Sequence, residues 1–383
     1  MARVLPHPPG PDVLRELLDE RDGLRISIYV PLPENRGFDE VHDFPASYEL
    51  AAKAAVKKLG ALGASKAETD AARTRLLDVD ADMARLPRET KSLGVFAGPE
   101  GLHAYALAGR VDRHSHAGHS YRVRPLLQAA RLEIPYRVLA LSTNHVSLFE
   151  GDVRDLHEVE AKDMPKSLKE ALGSELSKGT LQYHSSANAG QAVIFHGQVD
   201  ANQGRAVDQE RFHRIVGKSA VEHWRDREDP LVLATEPANA ASLRKVVDLP
   251  RLLERNATGN PDKMSPRQLH EQTWPIVRSW EEEQHARSAR RALDALGRGL
   301  AISQINEVVE AATAGRVNRL WVDGRQQEPG RIDPTTGRAT EGRGDEDLLD
   351  ELACLVRAKG GEVIVCNPEE LPDACTTIAE LRG

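Results

Sequence analysis

Aromatic residues are scarce in this chain of 383 residues, which has 4 Trp, 6 Tyr and 6 Phe, or 4% of the total. Proteins that hold single-stranded nucleic acid by stacking its bases usually use more aromatic side chains. The 51 lysines and arginines are outnumbered by 59 aspartates and glutamates, so the net charge is −8. The chain therefore lacks the global positive field of an indiscriminate DNA binder, and we expect no DNA partner. An RNA partner would have to be recognised through local patches or through shape.

Cysteines and long apolar runs are also scarce. The three cysteines, Cys354, Cys366 and Cys375, show no C-x-x-C spacing, which favours a reducing compartment and predicts neither a disulfide framework nor a zinc site. No stretch approaches the ~18 apolar residues that a membrane helix needs, and the first residues lack the apolar run of a signal peptide. We therefore expect a cytoplasmic protein with no membrane partner, no metal and no cofactor.

Apolar periodicity divides the chain into three blocks and predicts a multidomain protein of α/β and α+β class. The first block, residues 1–130, contains a period-two strand at 24–30, Ala-rich helical sequence at 47–86 and two strands at 92–96 and 102–108. The turn between these last two strands is Gly98-Pro99-Glu100-Gly101.

The second block, residues 131–280, begins with three runs typical of a β-meander, at Tyr136–Leu141, 145–149 and Leu156–Val159. A Gly-rich loop is predicted at 173–204, and loops of that length inside compact domains are usually functional or disordered. A helix at 207–224, a short strand at 230–234 and a helix at 239–247 follow.

The third block, residues 281–383, alternates helices and strands and predicts a small α/β sandwich. Its predicted elements are helices at 281–296, 302–314 and 347–359, and strands at 317–322 and Glu362–Cys366. Gly315 follows the second helix as a C-cap, and a loop is predicted at 324–344.

The common catalytic signatures are absent: the sequence contains no phosphate loop, no G-x-G-x-x-G, no G-x-S-x-G and no H-E-x-x-H. His114, His116 and His119 lie within six residues, and three imidazoles could ligate zinc with one position open to water. We favour the alternative, a polar hairpin tip, because a lone histidine cluster is a weak signal.

The predicted loop carries two Gly-Gln pairs, in Ala189-Gly190-Gln191 and His196-Gly197-Gln198. Glycine permits close backbone approach to a ligand, and backbone amides can stabilise an oxyanion. The alternative is a mobile loop in which glycine and glutamine serve solubility.

Two groups of segments resemble a known family. The run from Tyr136 to Leu141, the run from Val146 to Gly151, the Gly-rich loop and the following helix resemble the middle domain of the archaeo-eukaryotic peptide-chain release factors and Pelota proteins. The segments 311–322, 347–350 and 360–363 resemble the start and the end of that superfamily's C-terminal domain. The chain is most similar to the bacterial branch of the superfamily.

The resemblance implies three domains, 1–130, 131–280 and 281–383. It implies an RNase H-like middle domain, which in the family presents a Gly-Gly-Gln loop to the peptidyl-tRNA ester, and an L7Ae-like C-terminal domain that binds partners. This chain departs from the family pattern, because it has no Gly-Gly-Gln and no Asn-Ile-Lys-Ser decoding motif. Its His196-Gly197-Gln198 also precedes the predicted helix by about nine residues, whereas the family's tripeptide directly precedes the helix.

Two main hypotheses follow. The first is a ribosome-associated translation factor of rescue or hibernation type, which docks in the tRNA site without reading stop codons. It would meet tRNA and ribosomal RNA by shape and phosphate contacts, with Arg287, Arg290 and Arg291 as candidate binding residues; the alternative for these arginines is a solvated helix face paired with residues 281–283.

The second hypothesis is a peptidyl-tRNA hydrolase that acts through the loop at 188–204. Gln198 or Gln191 would orient water, Gly197 or Gly190 would permit the approach, and His196 would be the general base. A metal-dependent hydrolase centred on the three histidines is a third, minor hypothesis.

Overall fold

A computed structural model of the chain describes residues 3–10, 13–14, 23–33, 38–80, 82, 85–99, 101–142, 145–162, 164–173, 198–333, 335–342, 346–372 and 375–382. The fold is mixed α/β and multidomain. Two compact units are present: Met1–Glu133 together with Glu283–Gly383 form one, and Ile134–Glu282 form the other. Among the described residues, no helix combines the length and the apolar content needed to span a bilayer.

The first block builds an antiparallel sheet of four strands in the order β3-β2-β1-β4. Its elements are β1 (Arg25–Pro31), α1 (Phe38–Ala61), α2 (Lys66–Leu77), β2 (Ser92–Gly98), β3 (Gly101–Leu107), β4 (His114–Gly118) and α3 (Arg124–Ala130). Helix α2 begins at a capping box: Ser65 Oγ accepts from the Glu68 amide at 3.2 Å, and the Glu68 carboxylate accepts from the Ser65 amide at 2.7 Å.

Strands β1, β2 and β3 confirm the sequence prediction, while β4 corrects it. The segment that was predicted as a polar hairpin tip is a strand paired with β1, with His116 opposite Ser27. Histidine and serine carry no strong strand signal, so only the pairing with the buried strand β1 reveals this element.

The second unit contains a sheet of five strands in the order β7-β6-β5-β8-β9. Strands β5, β6 and β7 form the predicted antiparallel meander, and β8 and β9 add parallel to β5. Its elements are β5 (Tyr136–Leu141), β6 (Val146–Gly151), β7 (Leu156–Val159), α4 (Leu168–Leu172), α5 (Gln198–His223), β8 (Leu231–Thr235), α6 (Pro237–Val246), β9 (Ala257–Thr258) and α7 (Pro266–Gly297). Helix α7 continues beyond residue 282 into the other unit.

Alternate residues of the central strands β5 and β8 face two different cores, as period-two strands require. Leu139 and Leu233 pack with Phe212 of α5 on one face, whereas Val138 and Val232 pack with residues of α7 on the other. The sheet is therefore covered on both faces, which explains the continuous apolar runs of these strands.

Two helix starts in this part of the chain differ from the sequence prediction. Helix α5 begins at Gln198, not at 207, and α7 begins at Pro266, not at 281. Residues 198–206 are mostly polar and have no apolar period, so the periodicity that predicts a helix starts late. Pro275 lies inside α7, and an internal proline argues against a helix in a sequence reading.

The third block forms a sheet of four strands in the order β10-β15-β11-β14, in which β11 and β14 are parallel. Its elements are β10 (Ala301–Ile302), α8 (Ile305–Thr313), β11 (Val317–Asp323), β12 (Arg331–Ile332), β13 (Ala339–Thr340), α9 (Leu348–Ala358), β14 (Glu362–Cys366) and β15 (Thr377–Leu381). Helices α8 and α9 and strands β11 and β14 confirm the prediction, and Gly315 follows α8 with φ +69°. The hairpin β12–β13 within the predicted loop was missed.

A buried ion network joins the first and third blocks into one unit. Arg124, which is 1% exposed, donates to the carboxylates of Asp347 and Asp350 and to the Gln326 carbonyl at 2.8 Å. The Asp350 carboxylate in turn accepts from the backbone amides of Val123 and Arg124, at 2.8 and 2.9 Å. Buried charges are tolerated only when they are paired and hydrogen-bonded, and this network meets that condition with groups from both blocks.

Candidate functional site

The start of α5 is the candidate functional site. Gln198 is the first residue of α5, so the tripeptide His196-Gly197-Gln198 ends on the helix and is not separated from it by nine residues. Gly190, Gln191, His196 and Gly197 lie outside the described residues. The first amide groups of a helix have no intrahelical acceptor and carry partial positive charge, so this terminus can bind an anion or a developing oxyanion.

Helix α5 is held on the sheet through its C-terminal half. Phe212, Val216 and Ala220 recur at helical spacing, and Trp224 follows directly after the helix. All four side chains are buried in the core of the second unit. Trp224 Nε1 donates to Glu150 Oε1 on β6 at 2.8 Å, while residues 205–207 near the other end of the helix are exposed. The core thus fixes the direction of the helix, and its exposed residues 205–207 face solvent.

A polar cluster fixes α5 against α6. Gln209 donates to the Asn239 side chain, and His213 Nδ1 lies 2.9 Å from Ser242 Oγ. His213 is 0% exposed, and burial lowers its pKa to about 4, so its imidazole is neutral at pH 7. This cluster fixes the position of α5 relative to α6, and no motif in the sequence indicated it.

The outer face of α5 carries a basic stripe, which we define as Arg211, Arg214 and Lys218. These residues are exposed, and their spacing of three and four places them on one side of the helix, opposite the buried Val216. For Arg214 and Lys218, no ion pair is present within the described part of the chain. The spacing of these three cations can be read from the sequence. That they share an exposed face of α5 can be recognised only once the buried face of the helix is known.

Arg287, Arg290 and Arg291 are exposed on α7, in the unit that does not contain Gln198. Arg287 forms an ion pair with Glu283 at 3.5 Å, and Arg290 Nε donates to the Ala286 carbonyl at 3.3 Å. The ion pair at Arg287 matches the paired helix face that the sequence offered as the alternative for this run.

The three histidines of the first block do not converge. His116 Nε2 lies 3.2 Å from the Ser120 carbonyl, and His119 Nδ1 lies 2.7 Å from Glu346 Oε1. Within the described residues, the groups of three whose ligand atoms lie close enough for a metal do not include these histidines. The hypothesis of a metal-dependent hydrolase at this position therefore has no geometric support.

Residues 135–316 match the family described as bacterial archaeo-eukaryotic release factor family 3. No curated protein matches the chain. Among solved structures, an archaeal translation termination factor, aRF1, is 12% identical, with 97% of this chain and 96% of that chain covered and a TM-score of 0.24.

Two archaeal Pelota structures also match. Pelota from Archaeoglobus fulgidus is 15% identical over 76% of this chain and 79% of that chain, with a TM-score of 0.32. A model of ribosome-bound archaeal Pelota and ABCE1 is 14% identical over 98% and 95%, with a TM-score of 0.41.

The family match begins one residue after the start of the second unit and continues through α7, β10 and α8. It ends one residue before β11. It includes the Gly-Gln segments, α5 with its basic stripe, and the three arginines of α7. The resemblance inferred from the sequence is therefore confirmed, and over residues 135–316 the chain is similar to the bacterial branch of the archaeo-eukaryotic release factors.

Proposed function

We propose that this protein is a ribosome-associated translation factor of rescue or hibernation type, which docks in the tRNA site without reading stop codons. The observation that carries the proposal is the family match over residues 135–316. The first block lacks an Asn-Ile-Lys-Ser motif, which supports docking without stop-codon reading. On this proposal the partners are the ribosome, its RNA and tRNA.

We also infer the domain folds that the family resemblance implies. An RNase H-like fold for 131–280 is supported by the strand order β7-β6-β5-β8-β9, with three antiparallel strands followed by two parallel ones. An L7Ae-like sandwich for 281–383 is supported by α8 and α9 packed on the sheet of β11, β14 and β15. The separate sheets of the first and third blocks support their assignment to different domains, and the proposed boundary at 280 lies within α7.

The contacts with RNA would be made through phosphates. Cations aligned on one face of a helix can neutralise consecutive phosphates without contacting the bases. The basic stripe on α5 has this arrangement. Arg287, Arg290 and Arg291 offer a second such group on α7. The net charge of −8 confines attraction to these local surfaces.

Sedimentation of the protein with bacterial ribosomes tests the proposal. We expect co-migration at low salt that weakens as salt rises, because phosphate contacts release counterions. The double variant Arg214→Ala and Lys218→Ala should weaken binding. It should also reduce the slope of log affinity against log salt concentration by about two, the value expected for two lost phosphate contacts. Arg267→Ala, which removes an exposed cation already paired with Glu271 at 3.1 Å, serves as the matched control. Absence of co-migration at any salt would contradict the proposal.

Peptidyl-tRNA hydrolysis is the second candidate function, and the position of Gln198 at the start of α5 favours it. Gly197 would permit the approach of the ester, the backbone amide of Gln198 would hold the oxyanion and orient water, and His196 would accept the proton. Release of labelled peptide from ribosome-bound peptidyl-tRNA tests this function. Wild-type protein should release peptide and Gly197→Val should not; equal rates would exclude the tripeptide as the reacting part.

A further inference from the structure

A histidine, a cysteine and a glutamate converge inside the third block, away from α5. His285 Nε2, Cys366 Sγ and a carboxylate oxygen of Glu370 lie within 4.8 Å of one another. His285 Nε2 is 3.1 Å from Glu370 Oε2. In a tetrahedral zinc site with bonds of 2.0–2.1 Å, two such ligands are separated by about 3.3 Å. The spacing of this pair therefore already approaches that of two zinc ligands.

The fold explains why these three residues meet. Cys366 is the last residue of β14, which runs parallel to β11, and its partner in the register is Asp323, the last residue of β11. Helix α7 packs on the same face of this sheet, where Ser288 accepts from Trp321 Nε1 at 3.0 Å. His285, three residues before Ser288, lies over the carboxyl ends of the two strands, where α/β folds commonly place their ligands.

The glutamate comes from the segment that directly follows β14. Glu370 belongs to a short 3₁₀ helix at Pro368–Glu370, and its Oε2 also accepts from the Asn367 amide at 2.7 Å. A backbone donor of this kind fixes the orientation of a ligating carboxylate. The Glu370 side chain is 22% exposed, whereas that of His285 is 5% exposed and Cys366 is 0% exposed, so an ion has a route from solvent past Glu370.

Asp323 supplies an independent observation. Its side chain is 1% exposed, and its Oδ1 accepts from the amides of Arg325 and Gln326 at 2.7 Å each. Its Oδ2 is buried and has no hydrogen-bond partner among the described residues. Because paired residues of parallel strands point to the same side of a sheet, this carboxylate shares the face of Cys366. The guanidinium of Arg124 already lies close to Asp323, and Asp323 Oδ2 can still accept one further partner.

We propose that His285, Cys366 and Glu370 form a zinc site that holds α7, β14 and the 3₁₀ helix together, with Asp323 beside it. The mixed nitrogen, sulfur and oxygen donors suit Zn²⁺, while Mg²⁺ and Ca²⁺ prefer oxygen alone. Zinc displaces the proton of the Cys366 thiol and the hydrogen bond between His285 and Glu370, and the displaced proton passes to solvent. The site is independent of the function proposed for α5.

Metal titration of the untagged full chain tests the site after removal of bound ions with a chelator. Co²⁺ as the probe should bind one per chain and give a thiolate-to-metal charge-transfer band in the near ultraviolet, and Zn²⁺ should displace it. Zn²⁺ should also raise the melting temperature, because it binds the folded state. In Cys366→Ser the charge-transfer band should disappear and zinc affinity should fall by about 100-fold or more.

Two further variants serve as a cysteine control and as a second test of a ligand. Cys375→Ser changes a cysteine of the same apolar cluster and should leave the band and the affinity unchanged. Glu370→Gln changes a partly exposed ligand, so it can be measured even when Cys366→Ser does not fold, and it should weaken zinc binding. A Co²⁺ spectrum without a thiolate band, a band that persists in Cys366→Ser, or equal zinc affinity of Glu370→Gln and wild type would overturn the proposal.

Discussion

At the scale of single residues, Arg124 shows how one buried charge connects two distant parts of the chain. Its guanidinium binds Asp347 and Asp350, which lie more than 220 positions away in the sequence. Arg124→Ala would leave both carboxylates buried without their main partner, and breaking a buried pair in this way costs about 3–5 kcal/mol. We expect urea unfolding of the variant to show a loss of this size.

The control for Arg124 is an exposed ion pair. Arg267 pairs with Glu271 on the surface of α7, and its replacement by alanine should change the free energy of unfolding by no more than about 0.5 kcal/mol. Equal stability of Arg124→Ala and Arg267→Ala would show that the buried network does not stabilise the unit.

His213 gives the second prediction at this scale, a pH dependence. Burial lowers its pKa from 6.5 to about 4 in the folded state, so below pH 6.5 the unfolded chain binds a proton that the folded chain does not. The resulting stability is fully present above pH 6.5 and falls as the pH drops towards 4, by at most about 3 kcal/mol. We expect His213→Gln to lose this part of the pH dependence, measured as the free energy of unfolding between pH 7 and 4. The exposed His223 provides the control, since His223→Gln should keep the wild-type profile.

At the scale of secondary-structure elements, Gly217 sets the distance between α5 and the end of α6. A Cβ at this position would lie 2.8 Å from Val247 Cβ and 2.6 Å from one of its methyl groups. Alanine favours a helix over glycine by about 1 kcal/mol, but overpacking costs about 1–3 kcal/mol. We expect Gly217→Ala to be destabilising by thermal unfolding, whereas Gly297→Ala in α7, where the Cβ meets nothing within 4 Å, should be neutral or stabilising. A stabilised Gly217→Ala would show that α5 and α6 can separate freely.

The elements that the sequence predicted well are those whose own residues carry the signal. Strands β1 and β5 alternate or are continuously apolar, and α9 shows a clear apolar face with Asp347 as its N-cap. The first turns of α5 are polar, and β4 consists of histidine, serine and small residues. The first turns of α5 and strand β4 form because of contacts with residues that are distant in the sequence. A local sequence pattern cannot predict such contacts.

The candidate site also combines features that the local sequence predicts with features that it does not. The pair Gly197-Gln198 could be found in the sequence, but the placement of Gln198 at the start of α5 could not, because mostly polar residues surround that helix boundary. The grouping of His285, Cys366 and Glu370 was missed for a different reason. Only Cys366 and Glu370 are near each other in the chain. His285 lies on α7, and the position of that helix depends on the contact between Trp321 and Ser288.

At the scale of the whole molecule, we propose that this protein occupies the tRNA site of the ribosome. The family match over residues 135–316 supports this proposal, and the net negative charge of the chain requires that shape and local phosphate contacts direct the binding.

The most direct measurement is the affinity of the labelled protein for ribosomes with an empty tRNA site and for ribosomes whose site is filled with tRNA, at one low salt concentration. We expect binding to the empty ribosomes and competitive loss of binding as tRNA fills the site. Equal affinity for empty and filled ribosomes, or no binding to either, would contradict it.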